Sequence, residues 1–181
     1  MTSLGHIQPY PARENHFTSK DVLSILQERH WLSADPSPEH LAFCEHAAAL
    51  LGQHAADLTG LAELLNLIFD YNAVRILQSV EAHTVLARYG ARDAIRQLAL
   101  FLLDPIPFDS DRFKEVVTLL KENFELRGRD LFHPLRLALA GRAGEGELDR
   151  VILLLDEASA LPFNVPVKSA RARILEFCSA L

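Results

Sequence analysis

A surplus of basic residues is what this chain lacks first. It carries 18 Lys and Arg against 24 Asp and Glu, a formal net charge of −6. An acidic chain is a poor generic nucleic-acid binder, because non-specific affinity comes from neutralised phosphates. Cysteine is scarce too: Cys44 and Cys178 stand far apart without motif spacing. That excludes a disulfide framework and reads as two reduced thiols in a cytoplasmic protein. No apolar run approaches the ~20 residues of a membrane-spanning helix. The first residues, MTSLGHIQPYPAREN, show no basic stretch followed by an apolar one, so no signal peptide and no membrane association are expected. The glycine-rich run GRAGEG, from Gly141 to Gly146, has neither the Lys-Ser/Thr ending nor the preceding strand of a phosphate loop.

Metal and catalytic patterns are equally thin. His40 and Cys44 lie four apart, a spacing that can share a metal on one helix face. No further ligands stand at recognisable spacing, so solvated or core histidines, no metal and no cofactor are expected. Glu63, Asp70 and Glu81 fall on different turns and mark no catalytic pair.

What is present is helix. Leu and Ala dominate, within an apolar fraction of 49% over 181 residues, and apolar positions recur at 3.6-residue spacing from Ser19 onward. An irregular arm is expected over residues 1–17. Thr18 and Asp21 then form a capping box for a helix through about Arg29. Ser37 and Pro38 start a second helix, to about Gln53. Thr59 and Gly60 punctuate before a third, from Leu61 to Phe69. Asn72 caps a fourth, from Ala73 to about Arg88, and Gly90 ends it. Ala91 to Leu103 is a fifth. After the extended segment Asp104-Pro105-Ile106-Pro107-Phe108, Asp109 or Ser110 caps a sixth, with Phe113 and Leu120 on its apolar stripe. Two further helices, Glu147 to Ser159 and Lys168 to Cys178, follow a helix around Pro134. The expected fold is all-α, a bundle or superhelical cage of about nine helices. Residues 1–37 form an N-terminal arm and helix, and residues 38–181 a helical domain, together one compact unit.

The most distinctive stretch is LFHPLRLALAGRAGEGEL, from Leu131 to Leu148. Phe132, Leu135, Ala138 and Leu139 give one apolar stripe, with Arg136 off it on the flank. Pro134 suits a first turn, and Gly141 suits a left-handed C-cap. Packing of this helix against the one carrying Phe113 and Leu120 is expected.

The run resembles the C-terminal part of the anticodon-binding domain of bacterial-type glutamyl-tRNA synthetases. There a PLR-containing helix ends in an Ala-Leu-Thr-Gly-like sequence, followed by a loop and another helix. Pro134, Leu135, Arg136, Ala138, Leu139 and Gly141 match. Ala140 replaces the threonine, and Gly146 replaces a loop proline. The resemblance extends more weakly from about His40 onward. It implies that Arg136, the loop Gly144–Gly146 and Leu148 face anticodon nucleotides. In an earlier helix, His54 stands at the position of a family arginine and Asp57 at that of a threonine. The family's His-Ile-Gly-His-like and Lys-Met-Ser-Lys-like catalytic signatures are absent, so no enzyme is expected.

Charge placement fits that resemblance. Residues 1–90 hold 5 Lys/Arg and 10 Asp/Glu, and residues 91–181 hold 13 and 14, giving nets of −5 and −1 that reproduce −6. Lys121, Arg127, Arg129, Arg136, Arg142 and Arg150 surround the motif. Two functions follow. One is a non-catalytic module that binds tRNA or structured RNA, with Arg136 as base-reading anchor and Arg129 and Arg142 as phosphate contacts. The other is a protein-interaction module, binding a partner or itself, that keeps the helical fold without tRNA recognition.

Overall fold

The structure, a computed structural model, describes residues 14–181. Residues 1–13 of the expected arm lie outside the described residues, and residues 14–18 are non-helical. Ten α-helices follow, with no strand among the described residues.

Local capping sets most boundaries. The helix α1 (Ser19–Glu28) opens on the expected box, the Thr18 N–H donating to Asp21 Oδ2 at 2.8 Å. In α2 (Pro38–Leu51) Ser37 Oγ accepts from the His40 N–H, and the His40 ring accepts from the Ser37 N–H at 3.1 Å. Histidine thus does the work of glutamate in a capping box. A short 3-10 turn, Gly52–His54, continues α2. The next helix starts earlier than Thr59 and Gly60 suggest. Asp57 accepts from the Gly60 N–H at 2.8 Å, so α3 spans Leu58–Phe69 and Gly60 lies inside it. Asn72 caps α4 (Ala73–Leu77) as expected. The expected long fourth helix is two: Ser79 Oγ donates to the Ile76 carbonyl and accepts from Ala82 N–H, ending α4 and starting α5 (Val80–Leu86). A serine side chain competing for backbone partners explains the break.

Gly90, with φ +74°, leads into α6 (Ala91–Phe101). Asp109 caps α7 (Ser110–Phe124). The motif helix α8 spans Arg129–Ala140 and ends on Gly141 at φ +83°, the expected left-handed cap. A Cβ at Gly141 would sit 3.1 Å from Ile76 Cδ1. Pro134 is not in the first turn, because α8 begins before Leu131; the proline ring is buried within the helix. The last helices are α9 (Gly146–Ser159) and α10 (Ala170–Ala180), the latter capped by Ser169.

The core lies along α3, α8 and α9, joined by α10 and lined by Leu65, Ile68, Leu131, Leu139, Val151, Leu155 and Phe177. Val22 and Leu26 of α1 join the same cluster. Every residue of α8 from Pro134 to Ala140 is buried. The expected partner of α8 is corrected: it packs chiefly on α6, α9, α10 and α5, while α7 lies on α6. A helix enclosed all round has no flank, and this decides the fate of Arg136.

One buried cation ties the helix ends. Arg173 of α10 has no exposed surface. Its guanidinium donates to the carbonyls of Leu67, Ile68, Leu139 and Lys168 at 2.9, 2.6, 3.0 and 3.1 Å. Those carbonyls include the last turns of α3 and α8, where unpaired C=O groups and the negative dipole end favour a cation. The Tyr71 ring covers the guanidinium at 4.6 Å, and its hydroxyl donates to the Ala138 and Arg173 carbonyls. Burial pushes the Arg173 pKa down to about 10, which leaves it charged at neutral pH.

Candidate nucleic-acid interface

The loop from Gly141 to Gly146 is held from below. Arg136 is 8% exposed. Its Nε and Nη2 donate to the two carboxylate oxygens of Asp149, at 2.8 and 2.9 Å, and its Nη1 donates to the Gly144 carbonyl at 2.8 Å. The Phe132 ring stacks on its other side at 4.8 Å. This is a bidentate fork, the strongest form of side-chain pairing. Arg136 therefore joins α8, the loop and the first turns of α9. Leu148, 1% exposed, packs beneath the same loop. A Cβ on Gly144 would come within 2.7 Å of Leu148 Cδ1, so glycine lets the loop sit tightly on that leucine. These two sequence-selected residues, Arg136 and Leu148, point inward and shape the loop from beneath.

The others lie outside. Gly146 opens α9, and Arg142 is exposed on the loop. Arg129, its side chain 75% exposed, stands 3.9 Å from Glu145. His54 is exposed at the end of the 3-10 turn after α2. His54 and Gly146 line one open cleft of about 280 Å³, with Ser110, Phe113, Lys114, Asp149, Arg150 and Leu153. Lys114 reaches only Asp111, at 3.9 Å, and both are exposed. No ion pair engages Arg150 among the described residues. Phe113 is half-buried against Phe108, an aromatic side chain beside Lys114 and Arg150.

A second basic region adjoins the loop. His133 of α8 accepts from Arg88 Nη1 at 3.1 Å. Desolvation, with the nearby Arg88, Arg129 and Arg136, holds the His133 ring below the ordinary histidine range, against the pull of Glu145. Arg88 also approaches Asp130 at 4.0 Å. Lys121 stands 5.9 Å from the Phe132 ring. The surface around the loop is thus basic groups interleaved with Asp130 and Glu145.

Sequence reasoning did not single out Phe113, Lys114 and Arg150 as one site. Phe113 sits on an apolar stripe, and Lys114 and Arg150 occupy solvent positions of two helices far apart in sequence. Only the fold brings the first turns of α7 and α9 to one cleft with His54. The His40–Cys44 pair is used otherwise: Cys44 is fully buried and the His40 ring caps α2. Among the described residues no group of three His, Cys, Asp or Glu side chains converges. No helix among them is long and apolar enough to cross a membrane.

Comparison with known proteins assigns the chain to a family. Residues 8–161 match the anticodon binding domain family. The chain is 25% identical over 139 residues to a glutamate–tRNA ligase of Exiguobacterium sibiricum, covering 77% of this chain and 28% of that protein. It is 24% identical over 162 residues to a glutamate–tRNA ligase of Carboxydothermus hydrogenoformans, covering 88% and 33%. The chain thus spans a third or less of the length of these relatives. No solved structure matches it. With more than three quarters of its length inside the match, the chain belongs to the anticodon binding domain family.

Proposed function

We propose that the protein binds the unpaired loop of a tRNA or a similarly structured RNA, without catalysing a reaction on it. The observation that carries this reading is the meeting of His54 and Gly146, two positions selected by family resemblance alone, in a cleft that also holds Phe113, Lys114 and Arg150. Single-stranded RNA is recognised by splaying bases onto aromatic or guanidinium planes while cations hold the backbone. Phe113 supplies the plane. Lys114 and Arg150 supply phosphate contacts on either side of it, and Arg129 and Arg142 extend them past the loop. His54 offers a neutral donor or acceptor to a base edge, where an arginine would offer a bidentate fork. Arg136 and Leu148 act beneath the surface by holding the Gly144–Gly146 loop in register, so that backbone groups of the loop meet the bases.

The test is binding of unfractionated tRNA by fluorescence anisotropy across a salt series. Lys114→Glu combined with Arg150→Glu removes phosphate contacts without touching the core. The expected result is weaker binding of all sequences, with the slope of log affinity against log salt reduced by ~0.7 to 0.9 per lost contact. Wild-type protein that binds no tRNA at low salt, or a double variant with unchanged slope, overturns the proposal.

A further inference from the structure

Beside the basic cleft, with Leu153 lining both, the opposite chemistry is built into the fold. A groove of about 560 Å³ runs between the extended segment Asp104–Asp109, α9 and the start of α10. Its walls are largely apolar, among them Pro105, Ile106 and Leu153. Asp156 builds it: one carboxylate oxygen accepts from the Phe108 N–H at 2.7 Å and the other from the Ala170 N–H at 3.0 Å. A single side chain of α9 therefore clamps both the segment and α10 in place. Ile106, in its wall, is 53% exposed.

The rim is acidic. Asp104, Asp109, Asp156 and Glu157 line it. The last is engaged with His46 at 2.6 Å. Asp104, Asp109 and Asp156 form no ion pair among the described residues, and the side chains of Asp109 and Asp156 accept only from backbone N–H groups. Against them stand only His46 and Arg171 in the lining. Carboxylates beside an apolar trough repel nucleic acid and favour a partner of the opposite sign.

We propose that this groove docks a basic amphipathic helix of a partner protein. Its apolar side chains rest on Pro105, Ile106 and Leu153, and its lysines or arginines face Asp104 and Asp156. An amphipathic helix laid in an apolar groove is a recurrent mode of recognition, and the acidic rim sets the sign of the helix's polar face. The protein then carries two adjoining surfaces that share Leu153, one for RNA and one for a protein, and the second does not depend on the first.

The probe is a leucine–lysine amphipathic peptide, with its leucine–glutamate counterpart as control, titrated into the full chain and followed by backbone amide shifts and anisotropy. The lysine peptide is expected to bind, with shifts centred on residues 102–109 and affinity falling with salt, while the glutamate peptide does not. Ile106→Glu and Asp104→Lys, both at exposed positions, are each expected to weaken binding about tenfold with an unchanged melting temperature. Lys114→Ala with Arg150→Ala, which removes cations beside the groove, is expected to leave the lysine peptide bound at least as tightly. Equal binding of both peptides, no binding of either, shifts centred elsewhere, or full affinity in the two groove variants overturns the proposal.

Discussion

Replacing Arg136 with methionine separates two roles that a guanidinium can play beside an RNA loop. The substitution keeps most of the stem and its contact with Phe132 and removes the fork. Three hydrogen bonds are lost, two to Asp149 and one to the Gly144 carbonyl. Asp149, with its side chain 21% exposed, keeps its charge and loses its partner. Breaking a buried ion pair from one side costs ~3–5 kcal/mol. The partial exposure of Asp149 places this case at the lower end, about 3 kcal/mol. In a chain of this length that lowers the Tm by about 6 to 12 °C. The assay is urea unfolding at neutral pH with Arg136→Met, Asp149→Leu and the double variant. The coupling between the two sites should be about 2 kcal/mol, since the double variant no longer strands a charge. Arg136→Met frees the loop and should weaken tRNA binding, whereas Asp149→Leu keeps the Arg136 bond to the Gly144 carbonyl and should weaken it less. An Arg136→Met protein that melts like wild type and loses tRNA binding, beside an Asp149→Leu protein that binds normally, refutes the positioning role.

Three further outcomes follow from the same geometry. Arg173→Leu leaves four carbonyls, three of them at helix ends, without that donor and should cost about 4 kcal/mol or more in urea unfolding; Arg173→Lys should recover less than half, lacking the fork. His133 has a folded-state pKa below the ordinary 6.5, so the unfolded chain binds the proton more readily and stability falls as pH drops from about 6.5 toward the folded value; His133→Gln should flatten that part of a pH series of unfolding midpoints. Asp57→Ala removes the acceptor for the Gly60 N–H and should cost about 1 kcal/mol, read as a lower urea midpoint.

Much of the fold was legible because it is written locally. Thr18 with Asp21, Ser37 with Pro38, Asn72, Asp109 and Gly141 mark ends by hydrogen bonds made within a few residues. The misreadings share that cause. Thr59 and Gly60 read as a break because the cap, Asp57, lies just upstream and lets the helix run through them. Ser79 does not look like a terminator until its hydroxyl is seen bonding Ile76 and Ala82. Arg136 read as a surface residue because it lies off the apolar stripe; periodicity finds one face, whereas α8 is covered on every side. The cleft was half legible: His54 and Gly146 came from family resemblance, while Lys114 and Arg150 carry no local sign of meeting. Arg173 was invisible for the same reason, its partners being carbonyls distant in sequence.

The Arg173 clasp also imposes an order in time. Its carbonyl partner Ile68 is made 105 residues before it. At ribosomal speeds of ~5–20 residues per second, that interval is about 5 to 20 s. Throughout it, the finished end of α3 carries carbonyls that no nearby group in the nascent chain serves, and the seat later filled by α10 is open to water or to a chaperone. Newly made protein is therefore most exposed to proteases and to association with its neighbours just before α10 emerges, and docking of that helix seals two earlier helices at a stroke.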